Sequence, residues 1–207
     1  TDSSFQKLLR INNKDKRLKI LQLSRNFGSA DAGVAAGLSF AKGDAAVITM
    51  ADLQEPPETI YKFLRKWEQG FDIVHGIVEK RPDASFARRG LSILFYKILN
   101  LMTGNIFPEN VSDFRLVDKK VYEVVKRMPE RNKYLRGVIA WTGFKQIGIP
   151  FERKARFRGE SKADFLTVLT VAANGIFSFS YVPLRIAIFI GFFLSIISFL
   201  VILLQLS

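Results

Sequence analysis

Val47-Ile48-Thr49-Met50-Ala51-Asp52-Leu53-Gln54-Glu55-Pro56-Pro57-Glu58 is the stretch whose reading decides the fold. An apolar run ends in a carboxylate, an amide and a second carboxylate, and a double proline then forces a new element. Residues that close a buried strand just before a helix stand where open α/β sheets bind ligands. One residue separates Asp52 from Gln54, so an extended strand tip directs both side chains the same way. Two oxygen ligands side by side suit a hard divalent cation, magnesium or manganese, that keeps its other positions for water and substrate phosphates. The same residues also read as an ordinary acidic turn, with Pro57 near the first helical position and Glu58 complementing the helix dipole.

Upstream, residues 3–10 read as the end of a helix, followed by a charged loop at 12–17 and a strand at 18–23. A small-residue helix at 30–41, closed by Lys42-Gly43-Asp44, leads to the strand at 45–49. Strand, helix and strand at this spacing predict a parallel crossover unit. Downstream come a helix at 58–69, a strand at 72–77, a short strand at 112–118, a helix at 119–127 and a helix at 133–141. Residues 144–157 read as a strand or hairpin. The stretch 85–102 carries an apolar stripe with basic residues, a pattern shared by helices at a membrane interface and helices packed on a sheet, and 161–179 reads as a second candidate interfacial helix.

From Ile186 to Leu204 every residue is apolar or small, broken only by Gly191, Ser195 and Ser198. At about 1.5 Å per residue the run reaches across a hydrocarbon core of roughly 30 Å, which predicts a transmembrane helix within 183–207. The 207 residues carry a formal net charge of +12, with 48% apolar and 13% aromatic content. Past Leu184 the only charge is Arg185, so the positive excess lies on the other side of that run. A basic surface beside a membrane helix suits anionic lipid or polyphosphate and places it in the cytoplasm by the positive-inside rule. The absence of cysteine excludes disulfides and thiolate chemistry, and a single histidine excludes a histidine pair. His75, inside an apolar strand, reads as structural.

Five runs in order, Leu23-Ser24-Arg25-Asn26-Phe27-Gly28, the Ala51–Glu58 core, Asp113-Phe114-Arg115-Leu116, Tyr134-Leu135-Arg136-Gly137 and Arg158-Gly159-Glu160-Ser161-Lys162, resemble family 2 glycosyltransferases of the polyprenyl-phosphate type. The group includes dolichol-phosphate mannose synthase and bactoprenol glucosyltransferases. The resemblance implies an α/β, GT-A-like mixed sheet with flanking helices over residues 1–160, an interfacial helix at 161–182 and one C-terminal transmembrane helix. It also implies transfer of a glucose-like sugar from a nucleotide sugar, UDP-glucose or similar, to a polyprenyl phosphate at the bacterial inner membrane, with the soluble part cytoplasmic. A homo-oligomer is left open, and nucleic acid is not an expected partner.

In that group the central motif is an Asp-Ala-Asp followed by Leu-Gln, whereas here the first aspartate falls on Met50. The resemblance assigns Asp52 and Gln54 to a magnesium or manganese ion, and Asp52 and Asp113 to catalysis. Arg81, Arg158 and Lys162 go to donor phosphates, and Val78 stands where a basic residue often follows the strand. Arg88, Arg89 and Arg115 are candidates for the acceptor phosphate. Relatives begin with two further strands that hold the nucleotide base and ribose, so the GT-A sheet is expected to be incomplete and the chain by itself inactive. Two other readings compete. A non-catalytic membrane-anchored module for anionic lipid or nucleic acid would not need the ordered carboxylates. A processive polysaccharide synthase would carry a Gln-x-x-Arg-Trp motif, which this sequence lacks.

Overall fold

The computed structural model describes residues 3–80, 90, 97, 100, 101, 111–129, 134–154 and 175–206. Helix α1 (Ser4–Lys14) precedes α2 (Ala30–Ser39), strand β1 (Ala45–Ile48), α3 (Thr59–Glu68), β2 (Ile73–Lys80) and β3 (Val111–Asp118). Then follow α4 (Lys119–Arg127), α5 (Leu135–Trp141), β4 (Gln146–Glu152) and α6 (Val182–Leu206). The four strands form one mixed sheet in the order β1-β3-β2-β4. β3 runs antiparallel to both neighbours, with Ile48 opposite Arg115 and His75 opposite Arg115, while β4 runs parallel to β2.

The strand expected at 18–23 has no strand partner among the described residues, and those residues have no regular secondary structure and are largely exposed. A strand holds its conformation through a hydrogen-bonded neighbour, and among the described residues the outer edge of β1 offers none to it. The predicted parallel crossover into β1 is therefore not formed. β1 and β2 do run the same way, but β3 lies between them. The charged loop expected from residue 12 begins later, because α1 continues to Lys14.

Alternation along β3 feeds two cores. On one face Phe114 and Leu116 meet Phe63 of α3, Val74 and Phe151. Phe114 stands 4.7 Å from the Phe63 ring and 5.6 Å from Phe151, ring centre to ring centre. Gly76 lets this packing close, since a Cβ there would fall 2.8 Å from the Phe151 ring. On the other face Val117 and Ile73 pack under Leu38 of α2, Val121 and Val125 of α4, and Val138 and Ile139 of α5. The Tyr122 hydroxyl donates to the Gly43 carbonyl and fastens α4 to the chain entering β1. β4 lies at the edge of the sheet, where Pro150 leaves no ladder hydrogen bond missing from a central strand.

Of the expected interfacial helix at 85–102, only residues 90, 97, 100 and 101 are described, and they are helical. Of 161–182, residues 175–179 are helical and the Phe179 ring rests 6.3 Å from that of Tyr134. α6 follows, exposed and apolar on all sides, and long and apolar enough over Val182–Gln205 to cross a membrane. It is the one such helix among the described residues.

Candidate active site

The strand directions bring the C-terminal ends of β1, β2 and β4 and the N-terminal end of β3 to one edge of the sheet. The central motif turns there. Residues 51–53 form a turn and not the extended tip expected from the Asp52–Gln54 spacing. Asp52 Oδ1 accepts from the Gln54 N–H at 3.3 Å, and Leu53 between them has φ of 58°. A left-handed leucine that is 63% exposed is held by its surroundings, not by its own preference.

Two ties do the holding. Gln54 is only 6% exposed, its Nε2 donates to the Lys154 carbonyl at 3.2 Å, and the Lys154 N–H donates to the Gln54 carbonyl at 3.0 Å. The turn is thereby fastened to the end of β4. Glu55, 4% exposed, accepts through Oε2 from the Met50 N–H at 2.9 Å and the Thr49 hydroxyl at 3.0 Å. Its Oε1 accepts from the Ser112 hydroxyl at 2.9 Å, which fastens the turn to β3. Three donors offset the desolvation of this buried carboxylate.

Beside the turn, β3 carries Asp113 and Arg115 on the face covered by α2 and α5. Arg136 of α5 grips Asp113 with two bonds, Nε to Oδ1 at 3.2 Å and Nη2 to Oδ2 at 2.8 Å. Arg115 is 2% exposed. Its Nη2 donates to the Ser112 carbonyl at 2.9 Å and to Asp113 Oδ1 at 3.4 Å, while its Nη1 has no partner among the described residues. Asp113, Arg115, Arg136 and Asp31 of α2 form the polar rim of a small open hollow, with Val34, Ile48, Met50, Leu135 and Ile139 as its apolar wall.

The charges in this hollow act on one another. Burial works to raise the Asp113 carboxyl, but the Arg136 and Arg115 guanidinium groups, the Arg136 hydrogen bond and the charge of Arg153 outweigh it and hold the group below its ordinary value. Burial lowers Arg115 to about 10 against the pull of Asp113. Asp31 goes the other way: burial and the Asp113 charge raise it to about 6, against the opposing charges of Arg136 and Arg115. Beneath them His75, 2% exposed, pairs through Nε2 with Gln146 Oε1 at 2.8 Å, and burial followed by the Arg115 charge lowers it to about 4. His75 is a neutral core side chain in this structure.

Of the residues singled out in the sequence, Asp52, Gln54, Asp113 and Arg115 gather at this edge, Arg115 beneath the surface. Arg81, Arg88, Arg89, Arg158 and Lys162 lie outside the described residues. Sequence reading gave no role to Glu55 or Arg136, although both stand in quoted motifs, and passed over Asp31. Its only signal was an acid in the first turn of a helix otherwise built of small and apolar residues. Among the described residues no three carboxylate or imidazole groups converge as a metal cage. Glu55 is committed to its three donors, and Asp52 is the other carboxylate of the turn, the one expected from the sequence to join Gln54 at a magnesium or manganese ion.

A mixed α/β sheet with an acidic turn and an arginine-held carboxylate at one edge defines a class that comparison with known proteins identifies. Residues 1–126 match Glycosyl transferase family 2, and the chain belongs to that family. It is 36% identical over 197 residues, 95% of its length, to an uncharacterized glycosyltransferase of Synechocystis sp.. It is 39% identical over 183 residues, 87% of its length, to the bactoprenol glucosyl transferase of Shigella phage SfV. An uncharacterized glycosyltransferase of Bacillus subtilis, YkcC, is 39% identical over 181 residues, again 87% of the chain. The chain spans 62%, 58% and 56% of the length of these three relatives respectively.

Proposed function

We propose that this chain forms part of a glycosyltransferase that moves a glucose-like sugar from a nucleotide sugar to a polyprenyl phosphate at the cytoplasmic face of the bacterial inner membrane. The observation that carries this reading is the Asp113 carboxylate, gripped by Arg136 above buried Arg115 and next to the Asp52 turn. Relatives named bactoprenol glucosyl transferase support the lipid acceptor, and the apolar α6 supports the membrane.

A phosphate monoester has a second pKa of about 6 and is largely a dianion at neutral pH, so the acceptor needs no strong general base. Its needs are positioning and charge balance. Arg136 and Arg115 supply positive charge in a partly dry hollow, where it acts more strongly than in water. Asp113 fixes the Arg136 fork and offsets part of the positive charge of the arginine pair. Asp52, set by the ties at Gln54 and Glu55, faces the donor diphosphate. A magnesium or manganese ion held by Asp52 and Gln54 would supply a Lewis-acid charge for the leaving diphosphate. Arg81, Arg158 and Lys162 are assigned to the donor phosphates, and Arg88 and Arg89 join Arg115 at the acceptor phosphate.

The test uses membranes containing the whole protein, incubated with a panel of radiolabelled nucleotide sugars and undecaprenyl phosphate. Label from UDP-glucose or a close analogue is expected in a lipid product that depends on the added acceptor. No labelled lipid from any donor would overturn the reading.

A further inference from the structure

We propose that Asp31 is a proton-exchanging residue of the acceptor-phosphate subsite, taking up a proton from solvent when a phosphate dianion docks at the rim of the hollow beside Arg115 and Arg136. The inference rests on the acceptor reading given above and adds a residue and a linkage to it. Asp31 stands in the first turn of α2 and contributes to the rim of the hollow that Asp113, Arg115 and Arg136 line from the opposite elements. Two carboxylates and two guanidinium groups balance in that hollow, so an arriving dianion leaves an excess of negative charge in a half-buried place. One of the carboxylates relieves the excess by becoming neutral.

The geometry selects which one. Asp113 is bound at both oxygens by Arg136 and also meets Arg115, with Arg153 adding positive charge from the end of β4. Asp31 has no such fork, and the groups facing it are Asp113 and Arg115 on β3, and Arg136 and the Leu135 N–H on α5. Its carboxyl already sits at about 6 before any ligand arrives, so a further negative charge carries it across neutrality. Neutral Asp31 then presents an O–H to a phosphate oxygen, replacing repulsion with a hydrogen bond.

The experiment is calorimetric titration of the whole protein in detergent with farnesyl phosphate at pH 7.5, in buffers of different ionisation heat, which counts protons taken up on binding. Wild type and Asp31→Asn are compared, so that the titration of the lipid phosphate itself, common to both, cancels. Wild type is expected to take up close to one proton more than the variant. The variant, with one negative charge fewer, is expected to bind about tenfold more tightly at pH 7.5. At pH 5, where Asp31 is already protonated, the two affinities converge. Equal proton counts and equal affinities at pH 7.5 would overturn this inference and leave the acceptor reading standing. Absence of binding by either protein would overturn both. The wild-type proton count stands without the variant: no uptake beyond the lipid's own also refutes the linkage.

Discussion

Asp52 enters the turn through one oxygen that accepts the Gln54 N–H, a bond that an asparagine Oδ1 reproduces. Asp52→Asn therefore keeps that bond while removing the charge, and it is expected to lower turnover of the whole protein by about 10²-fold or more. Wild-type turnover in the variant would refute the assignment. Two titratable residues, His75 buried and Asp31 partly buried, set opposite acid responses. The folded His75 holds its proton only below about 4, so between its ordinary value and that point the unfolded chain binds the extra proton. Stability is full above about 6.5 and falls by about 3 kcal/mol on acidification to pH 4. Asp31, raised to about 6, opposes this, because the folded state takes its proton first and gains stability as pH falls through 6. Discounted for its partial exposure, its contribution is about 1–2 kcal/mol. Asp31→Asn should thus be more stable than wild type at pH 7.5 by that amount, lose the advantage by pH 4, and show the steeper acid loss in urea titrations across the range. A pH-independent difference would contradict this.

The unit that shapes the site is the segment from β1 to α3, and Glu55 is its brace. Removing the side chain leaves the Met50 N–H and the Thr49 and Ser112 hydroxyls without their acceptor. Glu55→Ala is expected to cost about 3 kcal/mol, read as a lowered urea midpoint, with Glu55→Gln in between. An unchanged midpoint would show that the brace is dispensable. Segments with dense local signals were readable one residue at a time. Lys119–Arg127 was predicted and found at the same bounds, since Asp118 caps it by accepting from Lys120 N–H at 2.9 Å and the apolar positions recur at helical spacing. Residues 18–23 are rich in strand-forming apolar residues, but a strand is defined by its partner, and the partner is not written in the strand.

At the scale of the molecule, the apolar α6 leaves the folded part close to the candidate site. Phe179 packs on Tyr134, two residues before Arg136, and Val182 begins the long helix three residues later. Under the proposed function, such a connection would set the Asp113–Arg136 hollow near the level of a bilayer surface, where a lipid phosphate resides. Membranes containing the whole protein are expected to retain it through alkaline carbonate extraction, with Arg185 on the cytoplasmic side in protease protection. Release by carbonate would remove the membrane assignment and the reason for a lipid acceptor with it.

Local physics is what the sequence alone determined: the alternation that makes β3 a buried strand, the prolines that start α3, the uniform apolarity of α6, and the chemical character of Asp52, Gln54 and Asp113. The resemblance of five short motifs pointed to the family because those motifs keep their order in the chain. Tertiary structure alone decided the partners. It set Arg136 on Asp113 across 23 positions and Lys154 on Gln54 across 100, and it put Asp31 at the same hollow as Arg115. It also turned the acidic motif into a braced bend and not an extended tip. Side-chain type and spacing specify what a residue offers, whereas which groups share a desolvated volume, and hence which charge is raised and which is lowered, depends on the strand order β1-β3-β2-β4 and on the helices laid over it.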